Sequence, residues 1–343
     1  MIVVLVGAKR NIGDYLIGAR AKALLAEFVD EEIIPLDRFK AIDDHLDTIN
    51  KARCVILCGG PAYTSSVYPG VYPLTEDLSK IKVPIIPYGL GWSGKPMNDP
   101  LSFQFDEHAK AFLNNVHTSI TASSCRDVLT EQVLNNHGIK NVTMTGCPVW
   151  YDLPSIGKSF KENDDVKKIV ITTPASQALL FQTLKVVRLT KKKFPKAKLY
   201  LSFHRGILPG KGNGMRKFIS YALMCLGSFF IKPGIKITNV EGDLKKIKYY
   251  DDCDFHIGYR VHAHLYFLSK RIPSILINED GRGRGQVLSM ELPEFNIDDP
   301  KLIEKLSQTL DTYKEEKFNS FMRIGTFIDQ RFEVMKSFLA GIK

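Results

Sequence analysis

The feature that most constrains this chain is a repeated alternation of short apolar runs with stretches of helical period. In the first half the runs are IVVLV (2–6), EIIPL (32–36), CVILC (54–58), VPIIPYG (83–89), TSITAS (118–123) and NVTMT (141–145), with helical spacing between them over Gly13 to Phe28 and Asp127 to His137. Unbroken apolar runs of this length suit strands covered on both faces, and helices between them make βαβ units, so the pattern predicts mainly parallel, doubly wound sheets. After a polar, lysine-rich segment, SIGKSFKENDDVKK (155–168), a second series begins: KIVITT (168–173), AKLYLSF (197–203), GIKITN (234–239), CDFHIG (253–258) and SILIN (274–278), with helices expected near 176–193, 214–229 and 299–314. The predicted fold class is therefore α/β, with two Rossmann-like domains facing a cleft: residues 1–155, a linker over 156–168, and residues 169–314. In the tail, 315–343, Phe318, Phe321, Met322, Ile324, Phe327, Ile328, Phe332 and Met335 follow an amphipathic spacing of about six turns, which predicts one long helix packing across both domains.

One segment concentrates charge at these predicted strand ends. In HIGYRVHAHLYFLSKRIPSILINEDGRGRG (256–285), DFHIG reads as a buried strand, and Val261, Leu265 and Leu268 as the apolar face of the helix that follows. Arg260 then stands at a strand-to-helix junction, where free backbone N–H groups and the positive end of the helix dipole favour an anion. PSILIN delivers EDGRGRG at the next strand end, and SFHRG (202–206) brings His204 and Arg205 to the same carboxyl edge, where open α/β sheets bind ligands. Arg260, His262, Arg205, His204, Arg282 and Arg284 on one rim predict an anion pocket, whereas His264 faces the apolar side of its helix and reads as a core residue.

The balance of charge agrees: 47 Lys and Arg against 37 Asp and Glu give +10, which favours anionic partners. There is no helix-turn-helix cue, zinc-finger spacing or RNP-type aromatic motif, so specific nucleic-acid binding is not expected and an anionic small molecule is. Six cysteines without a CxxC pair suit a reducing compartment, and no ligand cluster suggests a metal. The apolar run in MIVVLVGAKRN is too short for a signal-peptide core, so the expected location is cytoplasmic. FISYALMCLGSFFI (218–231), flanked by Arg216, Lys217 and Lys232, is too short to span a bilayer. It reads either as a buried helix or as an interfacial helix over 216–232 at the inner face of the membrane.

Other turns carry weaker signals. In GAKRNIGDYLIGARAKAL (7–24), Asn11 or Asp14 can cap a helix and Lys9 and Arg10 add charge, which suits a structural turn and a substrate loop equally. CGGPAYTSSVYPGVYPL (58–74) sets Gly60 at a strand end and offers Tyr63, Tyr68 and Tyr72 for stacking on sugar rings, or for covering apolar surface. PYGLGWSG (87–94) brings Trp92 to the same edge.

These motifs resemble those of the polysaccharide pyruvyl transferases. NIGD (11–14) looks like that family's N-x-G-D turn, CGG (58–60) and YGLG (88–91) like its glycine-rich strand ends, and SCRDVLTEQVLNNHGI (124–139) with TGCP (145–148) like its R-D helix and trailing strand. The most specific segment is GYRVHAHLYFLSKRIPSILI (258–277), similar to the family's G-x-R-x-H followed by a helix and a strand. The resemblance implies a GT-B-like pair of domains, acceptor side first and donor side second. It also implies phosphoenolpyruvate as co-substrate, no other cofactor, and a carbohydrate acceptor, free or lipid-linked. Arg260 and His262 match the R-x-H pair expected to engage the donor, and Arg126 matches the start of the R-D helix. The chain departs from the family after the last strand, where NEDGRGRG (278–285) puts Arg282 and Arg284 in place of a lysine.

On this reading Arg260, Arg205 and Arg282 or Arg284 grip phosphate and carboxylate, and His262 is the preferred acid or base. Asp14, Glu279 and Asp280 are acid/base reserves, and Asn11, Gly60, Tyr63, Tyr68 and Trp92 are acceptor contacts. The alternatives are a nucleotide-sugar glycosyltransferase, with Glu279 or Asp280 on ribose hydroxyls and the Gly-Arg loop on the diphosphate, and a non-catalytic sugar- or lipid-binding accessory protein of a polysaccharide assembly.

Overall fold

A computed structural model describes residues 1–94, 99–160, 165–207 and 214–342. In the first half β1 (Ile2–Val6), α1 (Ile12–Phe28), β2 (Ile33–Asp37), α2 (Leu46–Lys51) and β3 (Val55–Cys58) are followed by β4 (Pro61–Tyr63), β5 (Ile85–Tyr88) and β6 (Gly91–Trp92). Then come α3 (Glu107–Thr118), β7 (Ser123–Cys125), α4 (Val128–Asn136) and β8 (Val142–Met144). The second half runs β9 (Lys168–Thr172), α5 (Leu180–Lys193), β10 (Lys198–Phe203), α6 (Gly214–Ile231), β11 (Lys236–Asn239), β12 (Phe255–Gly258), α7 (Val261–Ser269), β13 (Ser274–Leu276) and α8 (Gly281–Ser289). Helices α9 (Leu302–Glu315) and α10 (Met322–Ala340) close the chain.

Both main sheets are parallel: β2-β1-β3-β5 in the first half and β11-β10-β9-β12-β13 in the second. The order reverses between β1 and β3, and again between β9 and β12. These are the points where neighbouring connections leave in opposite directions and open a crevice at the carboxyl ends of the strands. Central strands are apolar on both faces, as with Val3, Leu5 and Ile56 in one sheet and Ile169, Ile171 and Ile257 in the other, all buried. The α/β class with two Rossmann-like halves stands as predicted.

Three elements differ from expectation. The run 118–123 is not a strand: Thr118 ends α3, which Asp106 caps by accepting from the Ala109 amide at 2.8 Å, and which buries Ala109, Phe112, Leu113 and Val116. Pairing starts only at Ser123, in a small sheet with β8. EDGRGRG is not a loop after its first residues but the start of α8, capped by Asp280. The tail is two helices rather than one. Lys317 and Phe318 adopt φ of 53° and 62°, a left-handed turn that swings Phe318 into the second core, 5.4 Å from the ring of Phe255, before α10 begins. The shortened α10 still bridges the halves, packing on α1 and α7 with Phe332 5.9 Å from Phe28 and 5.4 Å from Tyr151. Of the expected linker, residues 161–164 lie outside those described.

Candidate functional site

The carboxyl edge of the second sheet meets the first half in a pocket lined by loops from both. Asn11 and Gly13 come from the turn after β1, and Arg126 from the turn after β7. His204 and Arg205 follow β10; Tyr259, Arg260, Val261 and His262 follow β12; Glu279, Asp280 and Arg282 follow β13. The switch point between β9 and β12 lies beneath. The cavity is small, about 30 Å³, room for one or two waters. Its walls are joined across the halves: the Ile12 amide donates to the His204 carbonyl at 3.2 Å, the Gly281 amide to the Gly94 carbonyl at 2.5 Å, and Trp150 Nε1 to Gln286 Oε1 at 2.6 Å.

Arg260 is the N-cap of α7 and only 8% exposed. Its amide donates to Thr172 Oγ1 at 3.2 Å and Nη2 to the Pro174 carbonyl at 2.9 Å, which fixes the side chain over the end of β9. Its Nε has no hydrogen-bond partner among the described residues. Burial lowers the Arg260 pKa to about 10, with Glu279 opposing and Arg205 adding to the drop. The group stays charged at neutral pH, and a buried cation with an unmatched donor is under-satisfied. Arg205, half-buried beside it, makes no hydrogen bond or ion pair among the described residues.

Arg126 and Arg282 are held differently. Arg126 is buried, its Nε on Asp127 at 3.0 Å and its Nη2 on the Trp92 carbonyl at 2.9 Å, while Asp127 also caps α4. Arg282 is clamped by Asp280, with Nε 2.8 Å from both carboxylate oxygens and Nη2 closing the pair. Burial pushes the Asp280 carboxyl up, but the hydrogen bonds and charge of Arg282 outweigh it and hold Asp280 below the usual carboxylate range. Asp280 is thus an ionised cap. Glu279 is also occupied, accepting from the Ala175 amide at 2.9 Å and the Ser176 amide at 3.2 Å. Both carboxylates line the pocket with partners already in place, Glu279 on backbone amides and Asp280 on Arg282.

His262 faces this cationic wall. Desolvation, then Arg126 and Arg282, lower its pKa to about 3 against the pull of Asp280, so the imidazole is neutral. Its ring lies against α1: a Cβ at Gly13 would stand 2.6 Å from His262 Nδ1. Asp14, the next residue, is raised above the ordinary carboxylate value by burial, against the charges of Arg38, Arg205 and Arg282 and a 3.3 Å hydrogen bond from Asn11. Burial also drives the pKa of His204 well below normal, and its Nε2 is engaged by the Tyr250 hydroxyl at 2.9 Å. His204 therefore shapes the floor. His264 is a core residue as expected, paired with Ser274 Oγ at 2.7 Å.

Several expected contacts are not at the pocket. Arg284 lies two residues after Arg282, so a helix turns it to the other side, and it pairs with Glu294 at 2.9 Å. Tyr63 is 0% and Trp92 1% exposed, which leaves no face for a sugar. They pack against Phe105 and Phe103, because this long loop folds inward over an apolar cluster. Tyr68 stacks on Phe112 and donates to the Thr75 carbonyl at 2.8 Å. Gly60 carries φ of 82° and lies where a Cβ would be 2.7 Å from Arg38 Nη1. Arg38 itself was not singled out in the sequence. It is buried, Nη1 donates to the Gly59 carbonyl at 3.2 Å, and its Nε has no partner among the described residues. Its only signal is a cation directly after β2. Tyr259 was missed too; it is inseparable in sequence from the buried strand before it.

Beside Asp14 runs a larger groove of about 560 Å³, lined by Val4, Val6, Tyr15, Lys22, Ile33 and Asp37 among others. It follows α1 and the edge strand β2 of the first half. Asp14 lies on this groove, while its neighbour Gly13 lines the arginine-walled pocket. Among the described residues no group of His, Cys, Asp and Glu is placed to hold a metal ion.

The fold is similar to solved structures at low identity. Staphylococcus aureus MnaA in its UDP co-structure superposes with a TM-score of 0.58 at 13% identity, covering 98% of this chain and 96% of that one. The UDP-GlcNAc 2-epimerase of Methanocaldococcus jannaschii in complex with UDP-GlcNAc and UDP gives 0.54 at 10%, covering 98% and 100%. That of Neisseria meningitidis bound to UDP-GlcNAc gives 0.51 at 12%, again covering 98% and 100%. These establish a GT-B-like fold. No curated protein matches the chain significantly. The sequence model of the polysaccharide pyruvyl transferases, by contrast, matches residues 11–281, a stretch that takes in every residue lining the arginine-walled pocket except Arg282. The chain belongs to the polysaccharide pyruvyl transferase family.

Proposed function

We propose that the protein transfers the pyruvyl group of phosphoenolpyruvate to two hydroxyls of a carbohydrate as a ketal. The observation that carries this reading is the buried, under-satisfied Arg260 beside Arg205, Arg126 and Arg282 in a pocket shared by both halves. A small ligand with a phosphate and a carboxylate matches Arg260 and Arg205 better than a single carboxylate does, and Arg126 and Arg282, though paired with Asp127 and Asp280, add donors at the same wall. The cavity has room for only one or two waters, so on this reading the donor enters as the halves part or the arginines swing aside.

In the reaction, protonation of the donor methylene carbon makes C2 electrophilic, and one sugar hydroxyl adds there as its proton passes to a base. The C2–O bond to phosphate then breaks, and the second hydroxyl adds to C2, its proton leaving with the phosphate. Asp14 suits the acid: burial keeps its carboxyl protonated to higher pH than an ordinary carboxylate, and it lies on the groove, next in sequence to Gly13 of the pocket. His262 suits the base. Its imidazole is neutral, and a bound dianion offsets Arg126 and Arg282 and raises its basicity just when a proton must be accepted. The groove along α1 is the proposed acceptor site, in place of the buried aromatics.

The test is to incubate the protein with phosphoenolpyruvate and a panel of saccharides, measuring phosphate release and the acceptor's gain of a pyruvyl ketal by mass spectrometry. Acceptor-dependent release in step with ketal formation is expected. Transfer of a sugar from a nucleotide sugar, with no ketal from any acceptor, would replace this reading by glycosyl transfer.

A further inference from the structure

Outside the pocket, the least explained surface is the outer face of α6. Its inner side is core: Tyr221 and Met224 are buried, Tyr221 packs 5.1 Å from Phe203, and a Cβ on Gly227 would meet Leu184 of α5 at 2.9 Å. The outer side carries Met215, Ile219, Leu223, Leu226 and Phe230 at spacings of four, four, three and four, one straight stripe along about four turns. Met215 is 70% and Phe230 80% exposed, and the other three are at least half exposed. The reading of 218–231 as a buried helix is therefore wrong for this side.

Basic residues border the stripe. On the adjacent α5, Phe181, Lys185, Arg188 and Lys192 recur at i, i+4, i+7 and i+11, all exposed on one face, and Phe181 is 75% exposed. Arg216 is exposed at the start of α6. We infer that the α5–α6 face is a docking surface for an anionic membrane, with the α6 stripe lying in the headgroup boundary and the α5 cations on lipid phosphates. Among the described residues no helix is long and apolar enough to cross a membrane, so the contact is in the plane of the interface. The charge selects the occupant. A second copy of this chain would bring a net +10 and the same basic row against itself, whereas an anionic bilayer complements both apolar stripe and cations.

The placement bears on the site. Tyr221, on the inner side of α6, is close enough to Arg260 and Arg205 for their charges to oppose the upward push of burial on its pKa. One helix thus connects pocket and docking face, which favours an acceptor anchored in the membrane; that last step rests on the pyruvyl-transfer reading, while the membrane contact does not.

The experiment is co-sedimentation of the full chain with phosphatidylcholine vesicles, with and without about one third phosphatidylglycerol. Two variants at exposed positions accompany it: L223E/F230E for the stripe and K185E/R188E for the cations. Wild type is expected to pellet with the anionic vesicles and to be released as NaCl rises from about 0.1 to about 0.5 M. Each variant should bind at least about tenfold more weakly with an unchanged melting temperature. Absence of binding to both vesicle types, or binding that neither variant weakens, would overturn the inference. So would a dimer by light scattering that L223E/F230E converts to monomer, which would make the stripe a self-interface. No turnover is needed, so failure here leaves the proposed reaction standing, and the reverse.

Discussion

At the scale of single residues, the pocket pairs groups whose surroundings push them away from their ordinary protonation. Arg260 is a cation with an unmatched Nε, and His262 is an imidazole kept neutral by burial and by Arg126 and Arg282. Replacing Arg260 by Ala should weaken donor binding by about 100-fold, the cost of about 2–3 kcal/mol for losing a buried charge-assisted contact. Arg260→Lys should recover only a small part, since an ammonium cannot reproduce the guanidinium fork. Titration calorimetry with phosphoenolpyruvate checks both, and equal affinity in Arg260→Lys and wild type would remove the argument from geometry. His262→Gln should lower kcat by about 100-fold or more with little change in KM, as loss of a proton acceptor does.

At the scale of elements, α8 shows how a local pattern can mislead. Glycines at 281, 283 and 285 looked like a phosphate loop, yet they are close-packed positions of a helix, Gly281 and Gly285 facing the first half and Gly283, on the other face, the preceding strand. Cβ atoms there would stand 2.6 Å from the Gly94 carbonyl, 2.5 Å from Asn278 Oδ1 and 2.6 Å from Asp127 Oδ1. Gly285→Ala raises helix propensity by about 1 kcal/mol in isolation, but here it drives a methyl into the carboxylate that holds Arg126. The variant should lose about 1–3 kcal/mol of stability and bind phosphoenolpyruvate more weakly; a rise in melting temperature would contradict the packing argument.

The strands were legible because parallel strands covered on both sides are short unbroken apolar runs. Their ends were therefore legible too, and with them Arg260, His262, Arg205 and Arg282, whereas Arg126 was reached only through the resemblance to the family's R-D helix. What the residues alone concealed depends on contacts far along the chain. The burial of Tyr63 and Trp92 follows from a loop folding inward on Phe103 and Phe105. The pairing of Arg284 with Glu294 follows from α8, and the break at Lys317 from a core that needed Phe318. The run 118–123 was misread because α3 ends inside it.

For the whole molecule, histidines with lowered pKa, three of them buried and His262 half-buried, make stability depend on pH. His262 and His264 have folded pKa values of about 3, and burial holds His204 and His256 well below normal too. All lie under the unfolded value of about 6.5, so the unfolded chain takes up protons first. The stability they confer is complete above that value and is lost as pH falls from about 6.5 toward 3. Asp14, raised by burial, acts in the opposite sense, but it is a single group against four. Melting temperature should therefore drop by several degrees or so between pH 7 and pH 5, and a flat profile would show these imidazoles to be accessible to water.

The central claim, that the four arginines at the meeting of the two halves receive phosphoenolpyruvate, is tested most directly by the thermal shift of the purified protein with that ligand. UDP serves as the competing ligand and Arg260→Ala as control. Ligand at a hundred times its Kd adds about 2.7 kcal/mol, enough to raise the midpoint by a few degrees or so in a chain of this size. The account predicts a shift with phosphoenolpyruvate that disappears in Arg260→Ala. A shift with UDP alone, or one with phosphoenolpyruvate that survives the loss of Arg260, would contradict it.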